Sequence, residues 1–333
     1  MFGTYRYMLA LMVAFAHIHP LFFGRFNWLG VYAVFGFFTL SGYLMTRVLH
    51  ETYGYSGGGV LRYLTNRALR IYPSYWLAAS GTVLLLVVLP DAAGSSDKLV
   101  YLPTTVAESL RNLVLVGMTW KFRPALVAPA WSLHLELLFY VMMGMGLSQS
   151  RRRATLWLIA SVVWTAGAFA SGLPSSFRYC TLVGASLPFS IGAFVYFLPP
   201  GRRWMLAAPI VFLPHAVAAR WIWPDVDVAG FYASLVLATV SVPALAAMRG
   251  SPRWRRLDGR LGDLSYPIFL LHMQAGFLVA RLWPSQAGSA LAFALTLPVL
   301  HVFALLLHWC AGSSVEALRD RVRTMSLAAT QRS

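Results

Sequence analysis

Ten apolar runs, each close to the ~20 helical residues that cross a bilayer core, follow one another along this 333-residue chain. They occupy residues 7–24, 28–47, 68–90, 129–149, 154–172, 180–198, 204–223, 228–248, 262–283 and 287–310. Lipid offers the backbone no hydrogen-bond partner, so such runs must satisfy their own amides as helices. The chain is thus expected to be all-α, a polytopic membrane helical bundle of about ten transmembrane helices. Only 11% of its residues are charged and its mean hydropathy is +0.63. A soluble domain carries roughly 25% charged residues, so that class is excluded.

An eleventh apolar patch, residues 106–120, contains Glu108, Arg111 and Asn112, which lipid tolerates poorly. It is expected as a surface-lying or re-entrant helix. Cation placement agrees. With ten spans and both termini cytoplasmic, 19 of the 27 Lys and Arg fall on cytoplasmic segments and 8 outside, in line with the positive-inside rule. An eleventh span would move the Arg151-Arg152-Arg153 cluster outside. The net charge of +16 is then read as anchoring to anionic leaflets, with no nucleic-acid partner.

Ala14-Phe15-Ala16 has the look of a cleavage site, but Arg6 is a lone leader charge and the apolar run continues to Phe23. The first run is expected to stay as a permanent helix. Gly57-Gly58-Gly59 reads as a flexible cytoplasmic loop. Residues 1–312 are expected to form the membrane domain. Residues 313–333 are expected to form a basic cytoplasmic tail, either disordered or lying on the leaflet as an amphipathic helix. Cys180 and Cys310 sit in apolar runs and are expected to pack there, with no disulfide or metal role.

Ionisable residues inside a bilayer are functional hypotheses. His17 follows Arg6 by eleven residues, a helical rise of about 16 Å that places it near mid-depth. A histidine there can take a proton from a hydroxyl near neutral pH, or it can be a hydrogen-bonded core residue. His19 is a weaker candidate, beside Pro20. Glu136 lies about 10 Å below Pro129, in the same layer as His17. A carboxylate there can orient a histidine or form a structural ion pair. Arg67 and Arg70 share one helix face at the cytoplasmic mouth. Two guanidinium forks suit a phosphate-rich ligand or lipid headgroups. His272 lies about 15 Å below Gly262 and is either packed or catalytic. His301 and His308 read as structural. No metal-ligand spacing, Walker loop, nucleophile elbow or dinucleotide fingerprint is present.

These residues fall in five motifs that resemble acyltransferase family 3, membrane proteins that O-acylate bacterial polysaccharides, lipopolysaccharides and lipids. Arg6 to His17 is similar to the family's Arg-x(10)-His. Phe37-Phe38-Thr39-Leu40-Ser41-Gly42 resembles its second-helix motif, and Arg67-x-x-Arg70 with Tyr72-Pro73-x-Tyr75-Trp76 resembles its third. Trp131-Ser132-Leu133-x-x-Glu136 with Phe139-Tyr140 follows, and Leu261-Gly262 through Ser265-Tyr266 to His272 closes the series. Together, and in order, they span residues 6 to 272. Two positions depart from the pattern. His134 stands where a small residue is commoner, and is expected to titrate beside Glu136 or to compete with His17 for it. Phe35 stands where many members carry a polar residue.

The resemblance implies an inner-membrane enzyme using acyl-CoA as co-substrate, with acetyl-CoA first among candidates and no permanently bound cofactor. It implies a glycan or lipid-linked sugar acceptor, contact with membrane lipids, and association with polysaccharide biosynthesis machinery. Catalytic roles fall on His17, Glu136 and Arg6, with His17 oriented by Glu136, and donor binding falls on Arg67 and Arg70. Ser41, Trp131, Ser132, His134, Ser265, Tyr266 and His272 are expected to contact substrate or support the site. A proton-coupled transporter or lipid flippase using the buried His and Glu, and a non-catalytic membrane sensor, are the competing classes.

Overall fold

A computed structural model describes residues 2–18, 28–89, 101–122, 125–199, 201, 227–286 and 289–330. Among them are eleven α-helices and no strand: α1 (Phe2–Ile18), α2 (Trp28–Val48), α3 (Gly57–Val88), α4 (Val106–Val114), α5 (Ala130–Gly144), α6 (Arg151–Ala170), α7 (Ser175–Cys180), α8 (Leu182–Tyr196), α9 (Asp227–Ala247), α10 (Pro252–Leu282) and α11 (Ala290–Thr330). A π-helical turn, Leu49–Tyr53, extends α2. The expected run at 204–223 lies outside the described residues, as does His19.

Among the described residues, four segments are long and apolar enough to cross a membrane by length and composition: Leu29–Tyr53, Gly57–Val88, Arg151–Ala170 and Ala290–Gly312. Their outward faces are apolar. Leu84 is 65% exposed, Val163 65% and Trp309 79%. Surfaces of this kind cost free energy in water and lose little in lipid. Cys310 belongs to this exposed face, which corrects the expectation that it packs in the core.

Helix directions follow from pairs of contacts. The offset of 255 residues between Gly3 and Asp258 recurs between His17 and His272, so α1 and α10 run parallel in one register. Tyr266 meets Ile71 and Gln274 meets Thr82, so α3 runs the same way. Tyr7 meets His301 while Phe15 meets Phe293, so α11 runs opposite. Phe38 meets Phe189 and Tyr43 meets Tyr196, which makes α2 and α8 parallel.

Close approach makes these packings possible. A Cβ added to Gly192 of α8 would sit 1.9 Å from the Thr39 carbonyl oxygen of α2. No side chain fits there, and the two backbones touch as small residues allow in membrane bundles. The core alongside is aromatic: Phe139 stacks on Phe189 at 4.2 Å and on Trp157 at 5.9 Å.

Patch 106–120 contains only the nine-residue helix α4, which rises about 14 Å and cannot cross a bilayer. Thr105 and Glu108 form a capping box at its start. The last carbonyls of a helix lack partners within it. Here Tyr72 and Trp76 of α3 supply them, donating to Val114 at 2.7 Å and Leu113 at 2.8 Å.

Two expectations are overturned. The glycines at 57–59 are the first turn of α3, because Ser56 caps it by accepting from the Gly59 amide at 3.2 Å. The described segment after residue 312, up to Thr330, is helical and not disordered. It continues α11 and docks on the protein: Asn66 Nδ2 donates to the Arg319 carbonyl at 3.0 Å, and Ser326 Oγ to the Thr52 carbonyl at 3.0 Å.

Candidate active site

α1, α2, α3, α5 and α10 enclose a cavity of about 180 Å³. It collects charged and hydroxyl side chains that the sequence scatters over 260 residues: Arg6, Ser41, Arg67, Arg70, Ser132, Glu136, Tyr140, Ser265 and Tyr266. The floor is cationic. Arg67 is buried at 9% exposure and donates through NH2 to Asn66 Oδ1 at 2.7 Å. Its Nε and that of Arg6 are buried without partners.

Glu136 faces these arginines from α5. Ser41 Oγ donates to its Oε1 at 2.7 Å, and the Tyr140 hydroxyl donates to the same oxygen. The carboxylate thus binds α2 to α5 through hydroxyls. The expectation that it orients His17 is corrected: the partner of His17 is His272. Tyr140 has no role assigned by its motif, although its place one turn after Glu136 is a signal for one.

A second cavity, about 120 Å³, lies along α1 from the first. His17 and Trp131 line it, with Met118, Thr119, Trp120 and Phe122 from the segment after α4. Val34, Ser132 and Phe269 line both cavities and form the wall between them. The segment over His17 is tied down on both sides. His134 Nδ1 donates to the Leu115 carbonyl at 3.0 Å, and the Leu126 amide donates to Asn112 Oδ1 at 2.9 Å. Leu115 itself holds φ 57°, a left-handed turn that β-carbons resist. His134 is thus a brace for this segment and neither neighbours nor competes for Glu136. Phe35 is buried edge-on to Tyr179 at 5.5 Å, an apolar packing role at the departing position.

The histidine pair has assignable tautomers. His272 Nδ1 lies 2.8 Å from the Phe269 carbonyl, so Nδ1 carries the proton and Nε2 the lone pair. His17 Nδ1 lies 3.1 Å from that Nε2 and therefore donates to it; the ring also interacts with the Val13 backbone. His17 Nε2 is left as the acceptor, on the ring that lines the second cavity. The rings stack at 5.1 Å and 17°. His272 is fully buried and lines neither cavity, so it acts through His17. His301 is structural in the same manner. Its Nδ1 donates to Leu297 at 2.7 Å and its Nε2 accepts from Tyr7 at 2.7 Å.

The remaining candidates hold the walls. Ser265 Oγ donates to the Gly262 carbonyl at 2.6 Å, Tyr266 to the Ile71 carbonyl at 3.1 Å, and Ser132 to the Pro129 carbonyl at 2.8 Å. Trp131 packs edge-on against Tyr179 at 5.5 Å.

A family model described as an acyltransferase domain matches residues 4–311, and so contains both cavities. The chain belongs to acyltransferase family 3. It is a membrane acyltransferase that transfers groups other than amino-acyl groups, and this sets aside the transporter, flippase and sensor readings. No curated protein and no solved structure matches the chain. In this acyltransferase the motif residues fall into two chambers joined at one wall: an arginine chamber holding Glu136, and a histidine chamber holding His17.

Proposed function

We propose that this acyltransferase moves an acyl group, acetyl first among candidates, from acyl-CoA to a hydroxyl of a cell-surface polysaccharide, lipopolysaccharide or lipid-linked sugar. The enzyme is a ten-span protein of the inner membrane with both termini cytoplasmic. The alternation of helix directions and the excess of arginine at one end support that topology. The observation that carries the reading is the shared wall. Cationic groups suited to phosphates line one chamber, an unoccupied imidazole lone pair faces the other, and Val34, Ser132 and Phe269 are common to both.

In this reading the phosphates of the donor meet Arg67 and Arg70 through charge-assisted hydrogen bonds, and Arg6, level with Arg67 in the parallel register of α1, α3 and α10, adds charge beside them. The thioester reaches toward the wall. The acceptor enters the histidine chamber, where Thr119, Trp120 and Trp131 offer a hydroxyl and flat apolar faces. His17 Nε2 takes the acceptor's proton as its oxygen attacks the thioester carbonyl. The C–O bond forms and the C–S bond breaks. The thiolate departs and takes the proton back from His17 Nε2, giving acyl ester and CoA thiol. His272 holds the His17 proton on Nδ1 throughout and stabilises the transient imidazolium, as the third member of a hydrolase triad does. Glu136 shapes the donor chamber by fixing Ser41 and Tyr140.

The test is donor dependence. Purified full-length protein is incubated with labelled acetyl-CoA and glycan extracted from the host envelope. Labelled ester in the glycan is the expected result, and its absence with every acyl-CoA tried contradicts the reading. Mass spectrometry of surface glycans from a deletion strain identifies the acceptor.

A further inference from the structure

Arg319 lies beyond the residues matched by the acyltransferase domain, yet α11 carries it onto the arginine chamber. One side chain makes the connection: Asn66 receives Arg67 NH2 on its Oδ1 at 2.7 Å and donates its Nδ2 to the Arg319 carbonyl at 3.0 Å. A third cavity, about 80 Å³, opens between α3, α10 and α11. It is polar, lined among others by Arg70, Ser74, Asp263, His308, Glu316 and Arg319. Arg70 and Tyr266 line both it and the arginine chamber, so the two adjoin.

The chemistry of this corner calls for an anion. Burial, then the neighbouring Arg70 and Arg67, push the Arg319 guanidinium down to about 10. It stays charged at neutral pH, and the carboxylates of Asp263 and Glu316 in the same lining balance only part of the charge of three crowded arginines. The Nε–H groups of Arg67 and Arg319 are buried without partners, donors that cost free energy when left unused. Size points the same way. At about 180 Å³ the arginine chamber is below the roughly 300–1,000 Å³ of sites for drug-sized ligands, so a nucleotide thioester needs adjoining space.

We propose that Arg319 is a third phosphate-binding arginine, and that the cavity between α3, α10 and α11 receives a phosphate from the nucleotide end of the thioester donor while the arginine chamber receives its acyl-bearing arm. The proposal rests on the acyl-CoA reading above. It makes the C-terminal end of α11 part of the donor site.

The test measures binding of CoA and of 3′-dephospho-CoA to purified full-length protein, comparing wild type with R319A, R319Q and R319K. Losing a charge-assisted contact worth the usual amount weakens binding about tenfold to a hundredfold. CoA affinity is expected to fall by that factor in R319A and R319Q, with R319K between, and the donor KM to rise with kcat little changed. The Asn66 contact uses the main chain at 319, so α11 stays docked, and thermal melting verifies this in each variant. A parallel series in vesicles with and without phosphatidylglycerol separates a donor phosphate from a lipid headgroup. Unchanged CoA affinity in folded R319A and R319Q, or an effect of these substitutions seen only as lost dependence on phosphatidylglycerol, overturns the proposal alone. Failure of wild type to bind CoA overturns it together with the donor reading.

Discussion

His17 Nδ1 lies 3.1 Å from His272 Nε2, in a stacked pair that fixes the proton on the inner nitrogen of His17 and leaves the outer one bare. The anchor of that chain is a main-chain oxygen, the Phe269 carbonyl. No carboxylate is needed to set the tautomer.

His272→Ala removes the ring acceptor for the His17 proton and leaves the transient imidazolium without its support. A hydrogen bond to a charged group carries roughly tenfold to a hundredfold in rate when it acts in the transition state. The kcat of His272→Ala is expected to fall by about that factor with the donor KM unchanged. His272→Gln, whose amide oxygen can stand in for Nε2, is expected to recover part of it. A merely structural histidine would leave the pH profile of the residual activity unmoved, whereas here its acid limb, set by protonation of His17, shifts.

Glu136 gives a different signature. Glu136→Gln keeps an oxygen for Ser41 and Tyr140, so the protein is expected to melt near the wild-type temperature and to lose donor affinity more than kcat. Glu136→Ala strands the buried Tyr140 hydroxyl, at about 1–3 kcal/mol, and is expected to lower the melting temperature. A kcat loss for Glu136→Gln as large as that for His17→Ala would return Glu136 to a role on the histidine.

The start of α1 carries a pH-dependent clamp. Asp258 accepts from the Gly3 amide at 3.1 Å, the Thr4 amide at 2.8 Å and Thr4 Oγ at 2.8 Å. Partial burial raises its carboxyl, but these hydrogen bonds outweigh it and hold the group below its ordinary value. The sign follows. A carboxylate depressed in the fold stabilises it above the unfolded value, near 4, and loses that contribution as pH falls through the lower folded value. Asp258→Asn is expected to lower the melting temperature at pH 7, with the gap to wild type closing below about pH 4. A gap that persists unchanged into acid contradicts the clamp.

Gly192 tests the packing of α2 on α8. With Thr39 O 1.9 Å from an added Cβ, Gly192→Ala forces the backbones apart, an overpacking cost of roughly 1–3 kcal/mol. Melting in detergent is expected to drop, with Gly167→Ala, which meets nothing within 4 Å, as the neutral control.

Much of this was legible from residue type and spacing. An apolar run must become a helix in lipid whatever its partners, so most expected runs coincide with helices. Spacing also brought Arg67 and Arg70 to one face and placed His17 and Glu136 at similar depth. Depth along a helix, however, says nothing about which way a side chain turns around it. That is why depth alone pairs Glu136 with His17: both sit in one layer, but they line different chambers across Ser132. His272 was visible only as one of two open readings, because its partner is 255 residues away and only the parallel register of α1 and α10 joins them. Arg319 carried no signal, since a basic helical end reads equally as leaflet anchoring until Asn66 is seen to hold it.

The division of labour between the chambers is tested most directly by measuring CoA affinity and acyl-transfer turnover together in His17→Ala. The two-chamber account predicts wild-type CoA affinity with turnover lowered about 10²–10⁴-fold, the usual worth of a general base. Near-normal turnover in a folded His17→Ala protein would contradict it.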